Sequence, residues 1–244
     1  MTKVLFVAFH GPAFGGKDTC CNLLEGMRKH PTPVLRPRFA EPIYDMIRRL
    51  VPGANSGMTK AEKELARAEL GGLSVRQMAV AIGEGARRYN ASCWINIWRD
   101  DLLDEAAEWI NRGLDNKPLE HLLVLVPDLR RQDEREAFHL LPAQLLDRVA
   151  PRRQVEAAAV LVHLQARNAP VNEQFNAATE TPLPYEERDL VLMNDHSAGL
   201  DALGATLAGT FALADHHAAH SLFLDMFRLD AWREAADALD AQPA

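Results

Sequence analysis

Apolar residues fall along this chain in two rhythms. Short unbroken runs at Val4 to Phe9, His121 to Val126, Ala158 to Leu164 and Leu190 to Met193 read as strands covered on both faces. Val34 to Ala40 reads as a further strand, with Pro37 confining it to an edge or interrupting its ladder. Between the runs the spacing turns helical. From Lys17 onward Cys20, Cys21, Leu23, Leu24 and Met27 predict a helix that His30-Pro31 closes. Pro42 suits the first turn of a helix to about Leu50, and Pro52-Gly53 with Asn55-Ser56-Gly57 is a loop. Thr59 and Glu62 predict a capping box for a helix stopping near Gly71-Gly72. Ser74 and Gln77 repeat the device before Val75, Met78, Ala79 and Ile82, and Ser92 is placed to cap a helix carrying Trp94, Trp98 and Trp109. From Ala198 two amphipathic helices finish the chain, the last over about His216 to Leu239. Strands separated by helical stretches imply an α/β fold: a mainly parallel sheet with helices on both faces, and the consecutive helices inserted over one end.

Composition narrows the picture. With 25% charged and 48% apolar residues the chain has an ordinary globular make-up, and its formal net charge of −7 argues against a protein that coats nucleic acid with its whole surface. A local basic groove stays open. Three cysteines, two of them adjacent, make no disulfide framework, which suits a reducing cytoplasm. Val4 to Phe9 is too short for a signal peptide or a membrane span, so no membrane partner is expected.

The chemistry starts at the end of the first run. Gly11-Pro12-Ala13-Phe14-Gly15-Gly16-Lys17-Asp18-Thr19 contains G-x-x-x-x-G-K directly after a strand and directly before a helix. Glycines let successive backbone N–H groups turn onto phosphate oxygens, the helix N-terminus adds a favourable dipole, and Lys17 supplies a movable cation for the β- and γ-phosphates. Gly11, Gly15, Gly16, Lys17, Asp18 and Thr19 are therefore the expected ATP-binding residues. Asp18 stands where Ser or Thr usually ligates Mg²⁺, with the hydroxyl one residue later at Thr19. Asp18 then either holds the ion, directly or through water, or is a first-turn carboxylate favoured by the helix dipole. Asp128 follows the buried run ending at Val126, where ligands of open α/β sheets bind, and can orient the acceptor, take its proton or join the magnesium shell. Arg130, and Arg167 from the segment beyond the third run, can stabilise charge on the transferring phosphoryl group. Arg76, Arg87 and Arg88, on or just after one predicted helix, can with Tyr89 and Trp94 frame a phosphate and a base. His216 and His220 stand four apart on a predicted helix but lack a third ligand at motif spacing, so a polar helix face is expected there.

These motifs resemble those of the bacteriophage deoxynucleoside monophosphate kinases, whose glycine loop likewise ends in Gly-Lys-Asp-Thr. Phe39-Ala40-Glu41-Pro42, Ser74-Val75-Arg76 through Ile82-Gly83, Trp94, Val126-Pro127-Asp128-Leu129-Arg130 with Glu134, and Thr179-Glu180 through Leu183-Pro184 to Asn194-Asp195 are each similar to a family segment. The resemblance spans about residues 3 to 210. It implies a P-loop kinase three-layer sandwich in residues 1–214, with a helical substrate-binding insertion at about 42–112 and a lid at about 166–188, followed by a C-terminal helical extension at 215–244. Glu41, Arg76, Arg87, Arg88 and Trp94 become the expected substrate-binding residues, Lys17, Asp128 and Arg130 the catalytic ones, and Asp18 and Thr19 the ligands of Mg²⁺ accompanying ATP. The chain departs from the family at Val80, where Gln is usual, at Gly83-Glu84-Gly85, where the turn differs, and at Ala177, where His is usual.

Three functions follow as expectations: transfer of the γ-phosphate of ATP to a deoxynucleoside monophosphate; transfer to the hydroxymethyl group of 5-hydroxymethyluracil within phage DNA, which the departures motivate and for which Arg36, Arg38, Arg48, Arg49, Arg87 and Arg88 would supply basic contacts; and a non-catalytic nucleotide-binding module. The sequence leaves a homodimer open.

Overall fold

The computed structural model describes residues 1–12, 15–114, 117–167, 183–214, 217 and 219–229. The apolar run at the N-terminus becomes β1 (Thr2–His10), which pairs in parallel with β3 (His121–Val126) on one side and β4 (Val155–Arg167) on the other. β2 (Val34–Leu35) and β5 (Leu190–Asp195) complete a five-stranded, all-parallel sheet in the order β2-β3-β1-β4-β5. The strand expected over Val34 to Ala40 shrinks to two residues, because Pro37 has no N–H to donate to β3.

In chain order the helices are α1 (Lys17–Gly26), α2 (Glu41–Arg48), α3 (Lys60–Glu64), α4 (Val75–Arg87), α5 (Cys93–Arg112), α6 (Gln132–Arg148), α7 (Gly199–Ala212) and α8 (His220–Met226). Strand alternation sorts the core into two layers. Leu5, Val7 and Phe9 of β1 are fully buried in one cluster with Cys20 and Leu24 of α1, Leu207 and Phe211 of α7 and Phe223 of α8. Val4, Phe6 and Ala8 point to the opposite face, where α6 packs on β1 and β4 through a stripe that includes Phe138, Leu141 and Leu145. Each such side chain contributes roughly 1.5–3 kcal/mol by leaving water. β1 thus leads into α1 on one face, while its neighbour β3 leads into α6 on the other. Adjacent parallel strands whose connections leave to opposite faces open a crevice at their carboxyl ends.

Residues Pro37–Leu102 form a second compact unit, whose end falls inside α5. Its core joins Ile43, Tyr44 and Ile47 of α2 to Val75 of α4 and to Trp94. Both predicted capping boxes are present, Thr59 with Glu62 and Ser74 with Gln77. α3 stops at Glu64 rather than near Gly71, since Leu65 turns to extended backbone and only a 3₁₀ turn at Ala68–Leu70 follows. The Gly83-Glu84-Gly85 segment, read as a turn, lies within α4. Among the described residues no helix is long and apolar enough to cross a membrane.

Candidate functional site

The glycine loop leaves β1 under tight steric control. A Cβ at Gly11 would lie 2.8 Å from the Leu164 carbonyl oxygen, so β4 runs too close for any side chain there. Gly15 N–H donates to Pro12 O at 3.0 Å, closing a turn. Gly16 then takes the left-handed conformation (φ 94°, ψ 16°) that starts α1, and a Cβ at this position would sit 2.6 Å from Asn194 Nδ2. That amide donates to Gly15 O at 2.8 Å and pins the loop to the end of β5. Among the described residues no side chain caps α1, so its first-turn N–H groups carry the positive end of the helix dipole toward the loop. Lys17 folds back over the turn, its Nζ donating to Gly11 O at 2.7 Å and Pro12 O at 2.6 Å. Asp18 is exposed and Thr19 half-buried on the same first turn. Ala13 and Phe14 of the motif lie outside the described residues. Burial pushes the Cys20 thiol up to about 12 despite nearby Lys17, so it is a packing group.

Beside the loop, β3 ends in a turn built by a carboxylate. Glu134, 5% exposed, accepts from Arg130 N–H at 2.8 Å and Arg131 N–H at 3.0 Å, so the first turn of α6 holds the backbone that carries Asp128 and Arg130. Burial, reinforced by nearby Asp128 and opposed by the two N–H donors, lifts the Glu134 carboxyl to about 7. Asp128 is half-buried and Arg130 exposed.

Lys17 and Arg130 line one cavity of about 360 Å³, together with Gly11, Pro12, His10, His163, Gln165 and Tyr185. The two histidines stand in register on β1 and β4, with ring centroids 5.2 Å apart. His10 is committed on both sides. Its Nε2 accepts from Leu183 N–H at 3.1 Å, which makes Nδ1 the protonated nitrogen, 3.1 Å from Leu129 O. Burial holds its ring neutral, with the pKa lowered to about 4. His163 Nε2 meets Asp189 Oδ2 at 2.9 Å, and the same oxygen lies 2.6 Å from Nη2 of Arg135, a fully buried guanidinium on α6. Arg135 also donates to Pro184 O at 2.6 Å and pairs with Glu186 at 3.1 Å. Gln165 Nε2 donates to the Tyr185 hydroxyl at 2.6 Å. Asp189, despite its burial, is held below the usual carboxylate range by His163, the Glu186 N–H and Arg135. Residues 183–189 are therefore tied down across the α6 face of the sheet.

The other expected residues distribute unevenly. Arg167 is exposed at the end of β4, past the Gln165 and Ala166 that line the cavity. In the second unit, Glu41 accepts from Arg48 at 3.0 Å and from the Ser56 hydroxyl, stapling α2 to the following loop. Burial raises the Tyr44 hydroxyl, with the charge of Arg76 opposing and that of Glu41 reinforcing the shift, and Arg76 itself pairs with Glu64 at 4.0 Å. Arg76 and Arg87 do not converge. They begin and end α4, eleven residues and roughly 16 Å of helix rise apart, more than one phosphate spans. Arg87 pairs with Glu84 at 3.3 Å, and Arg88 and Tyr89 are exposed. Trp94, expected to frame a base, is 5% exposed in the core of its unit, with its indole N–H donated to Gly83 O at 3.0 Å. It packs the unit together and offers no open stacking face. Of the expected lid, residues 168–182, with Ala177 and Thr179-Glu180, lie outside the described residues, as do His216 and residues 230–244; the helix expected over about His216 to Leu239 is interrupted, because α8 stops at Met226 and Phe227 turns to extended backbone that bridges to Arg28. His217 Nδ1 accepts from Ala219 N–H at 3.0 Å, leaving Nε2 to donate to Arg188 O at 2.9 Å, which is a structural role.

Sequence reasoning missed His10, Arg135, His163, Tyr185 and Asp189. The signal available was a histidine interrupting or ending two otherwise apolar strand runs. Nothing local marks Arg135 and Asp189, which meet across 54 residues. No family model matches the chain, and no curated protein matches it.

Proposed function

We propose that the chain is a P-loop phosphotransferase of the nucleotide kinase type, moving the γ-phosphoryl group of ATP onto a nucleotide acceptor, with deoxynucleoside monophosphates the acceptors that the motif resemblance favours. The observation that carries this reading is the convergence of the glycine loop, Lys17 and Arg130 on one cavity at the carboxyl end of a parallel sheet. Loop N–H groups and the uncapped start of α1 suit phosphate oxygens, and Lys17 can exchange two neutral carbonyl partners for a polyanion. Transfer forms a bond from the acceptor oxygen to the γ-phosphorus and breaks the bond to the β–γ bridging oxygen, so ADP leaves. Negative charge spreads over the oxygens in transit, which is where Lys17 and Arg130 act.

The donor set also suits Mg²⁺. Asp18 and Thr19 offer hard oxygen ligands on the first turn of α1, and an ion held by one or two protein groups completes its octahedron with phosphate oxygens and water. When bound with ATP, magnesium would screen the phosphate charge. Among the described residues no group of three or more His, Cys, Asp or Glu builds a protein-only metal cage.

The test is transfer from γ-labelled ATP to each deoxynucleoside monophosphate and to DNA bearing 5-hydroxymethyluracil. Label in a diphosphate or in the polymer supports phosphoryl transfer and names the acceptor. Nucleotide binding without transfer would reduce the protein to a binding module. A second acceptor reading, a hydroxyl rather than a phosphate, has one observation in its favour: His163, which lines the cavity, is bonded through Nε2 to the buried Asp189.

A further inference from the structure

One wall of the cavity beside Lys17 comes from neither strand nor helix. Leu183 and Tyr185 supply it, from a segment pinned along its length by buried side chains. His10 Nε2 accepts from Leu183 N–H at 3.1 Å, Arg135 donates to Pro184 O at 2.6 Å, and Asp189 Oδ2 accepts from Glu186 N–H at 2.9 Å as well as from Arg135. Arg135 and Asp189 are both 1% exposed. A buried ion pair of this kind adds little over apolar packing, so what it contributes here is a fixed backbone. Of the two residues that this backbone brings to the cavity, Leu183 is buried and Tyr185 is 54% exposed. The Tyr185 ring lies against His163 with centroids 4.4 Å apart, and its oxygen accepts from Gln165 Nε2 at 2.6 Å. An amide nitrogen has no lone pair to offer in return. The phenol therefore keeps its own proton for another partner, and among the described residues it donates to none. Gln165 lines the same cavity, so the hydroxyl stands at its wall.

The side of the sheet decides which ligand meets that hydroxyl. His163 and Gln165 of β4 share a face with His10, the face covered by α6, whereas α1 packs on the opposite one. In-line transfer places the attacking oxygen opposite the β–γ bridging oxygen. With the donor's phosphate tail on the glycine loop and the start of α1, the acceptor then approaches from the α6 side. We infer that Tyr185 is a substrate-contacting residue, its hydroxyl donating to a phosphate oxygen of the acceptor nucleotide next to Arg130. The inference rests on the phosphotransferase reading above and adds to it a residue that selects for the acceptor's phosphate. Arg130 supplies charge and Tyr185 a neutral donor held in one place, so the two together favour a phosphate monoester over the bare nucleoside.

Tyr185→Phe keeps the ring against His163 and removes only the hydroxyl. In transfer from γ-labelled ATP to a deoxynucleoside monophosphate, KM for the acceptor should rise roughly tenfold or more, the loss expected for one hydrogen bond to a charged oxygen. KM for ATP and the melting temperature should stay at their wild-type values. The matching deoxynucleoside, used as a competitor, reads the phosphate contact separately: wild type should bind the monophosphate more tightly than the nucleoside, and in Tyr185→Phe that preference should shrink by the factor lost in KM. An unchanged acceptor KM, an undiminished preference for the monophosphate, or a rise in KM for ATP alone would each overturn the assignment of Tyr185 while leaving phosphoryl transfer intact. A lowered melting temperature with both KM values raised alike would mark the hydroxyl as structural, with the same result. So would a wild-type protein that labels hydroxyl acceptors and no monophosphate. Absence of transfer to every acceptor by the wild-type protein would instead remove the phosphotransferase reading and this one with it.

Discussion

Gly16 carries two constraints at once, a left-handed backbone and an amide at the place a Cβ would fill. Gly16→Ala should cost at least about 1–2 kcal/mol from backbone conformation alone, with more from displacing Asn194, read as a lower midpoint in urea and weaker ATP binding. Lys17→Ala removes a cation that lines the cavity and should abolish transfer while leaving the melting temperature within a few degrees, since the lysine donates to the loop carbonyls of Gly11 and Pro12 rather than holding the core together. Full transfer by that variant would remove the phosphate-cradle reading. The glycines and the lysine were legible from spacing alone, because the motif is local and its chemistry is carried largely by backbone. Trp94 was misread for the opposite reason: its role is set by which way an indole points once α4 and α5 have packed, and a residue type does not encode that.

At the level of elements, apolar runs and caps predicted most of the architecture. β1, β3, β4 and β5 and the starts of α2, α3 and α4 stand where hydrophobic pattern and capping residues put them, since a buried parallel strand and a capping box each leave a mark within a few residues. α6 was not assigned, and the reason is physical. Pro142 sits inside it and its buried stripe includes Glu134 and Arg135, so pattern and propensity both argue against a buried helix that tertiary ion pairing supports. The same helix anchors residues 183–189, and cutting that anchor gives a clear expectation. Asp189→Ala strips the buried one of two carboxylate partners from a fully buried guanidinium and should destabilise the fold by about 3 kcal/mol. Thermal melting checks it, and a loss below about 1 kcal/mol would mean the pair is not buried as described. By contrast Ser74→Ala, which removes one capping bond of α4, should cost only about 1 kcal/mol.

For the whole molecule, two buried groups and one half-buried group set a pH profile. His10 and His139 have folded pKa values lowered to about 4 by burial, so the native state resists protonating them, and stability present above pH 6.5 is lost as pH falls from there toward 4. Glu134 works the other way. Its carboxyl is raised to about 7, so its contribution is fully present below about 4.5 and is lost as pH rises through 7. In Glu134→Gln the opposing titration disappears. The variant should gain stability relative to wild type between pH 5 and pH 8, and its own acid-side decline should be steeper; parallel melting curves for the two proteins across that range would contradict the assignment. One feature reaches further across the sheet. Among the described residues β5 is an edge strand paired with β4 alone, yet its Asn194 braces the glycine loop from the far side. Edges fray first, so each breath of that margin loosens the glycine loop, and if the proposed nucleotide seats there it should in return slow amide hydrogen exchange along the strand behind it.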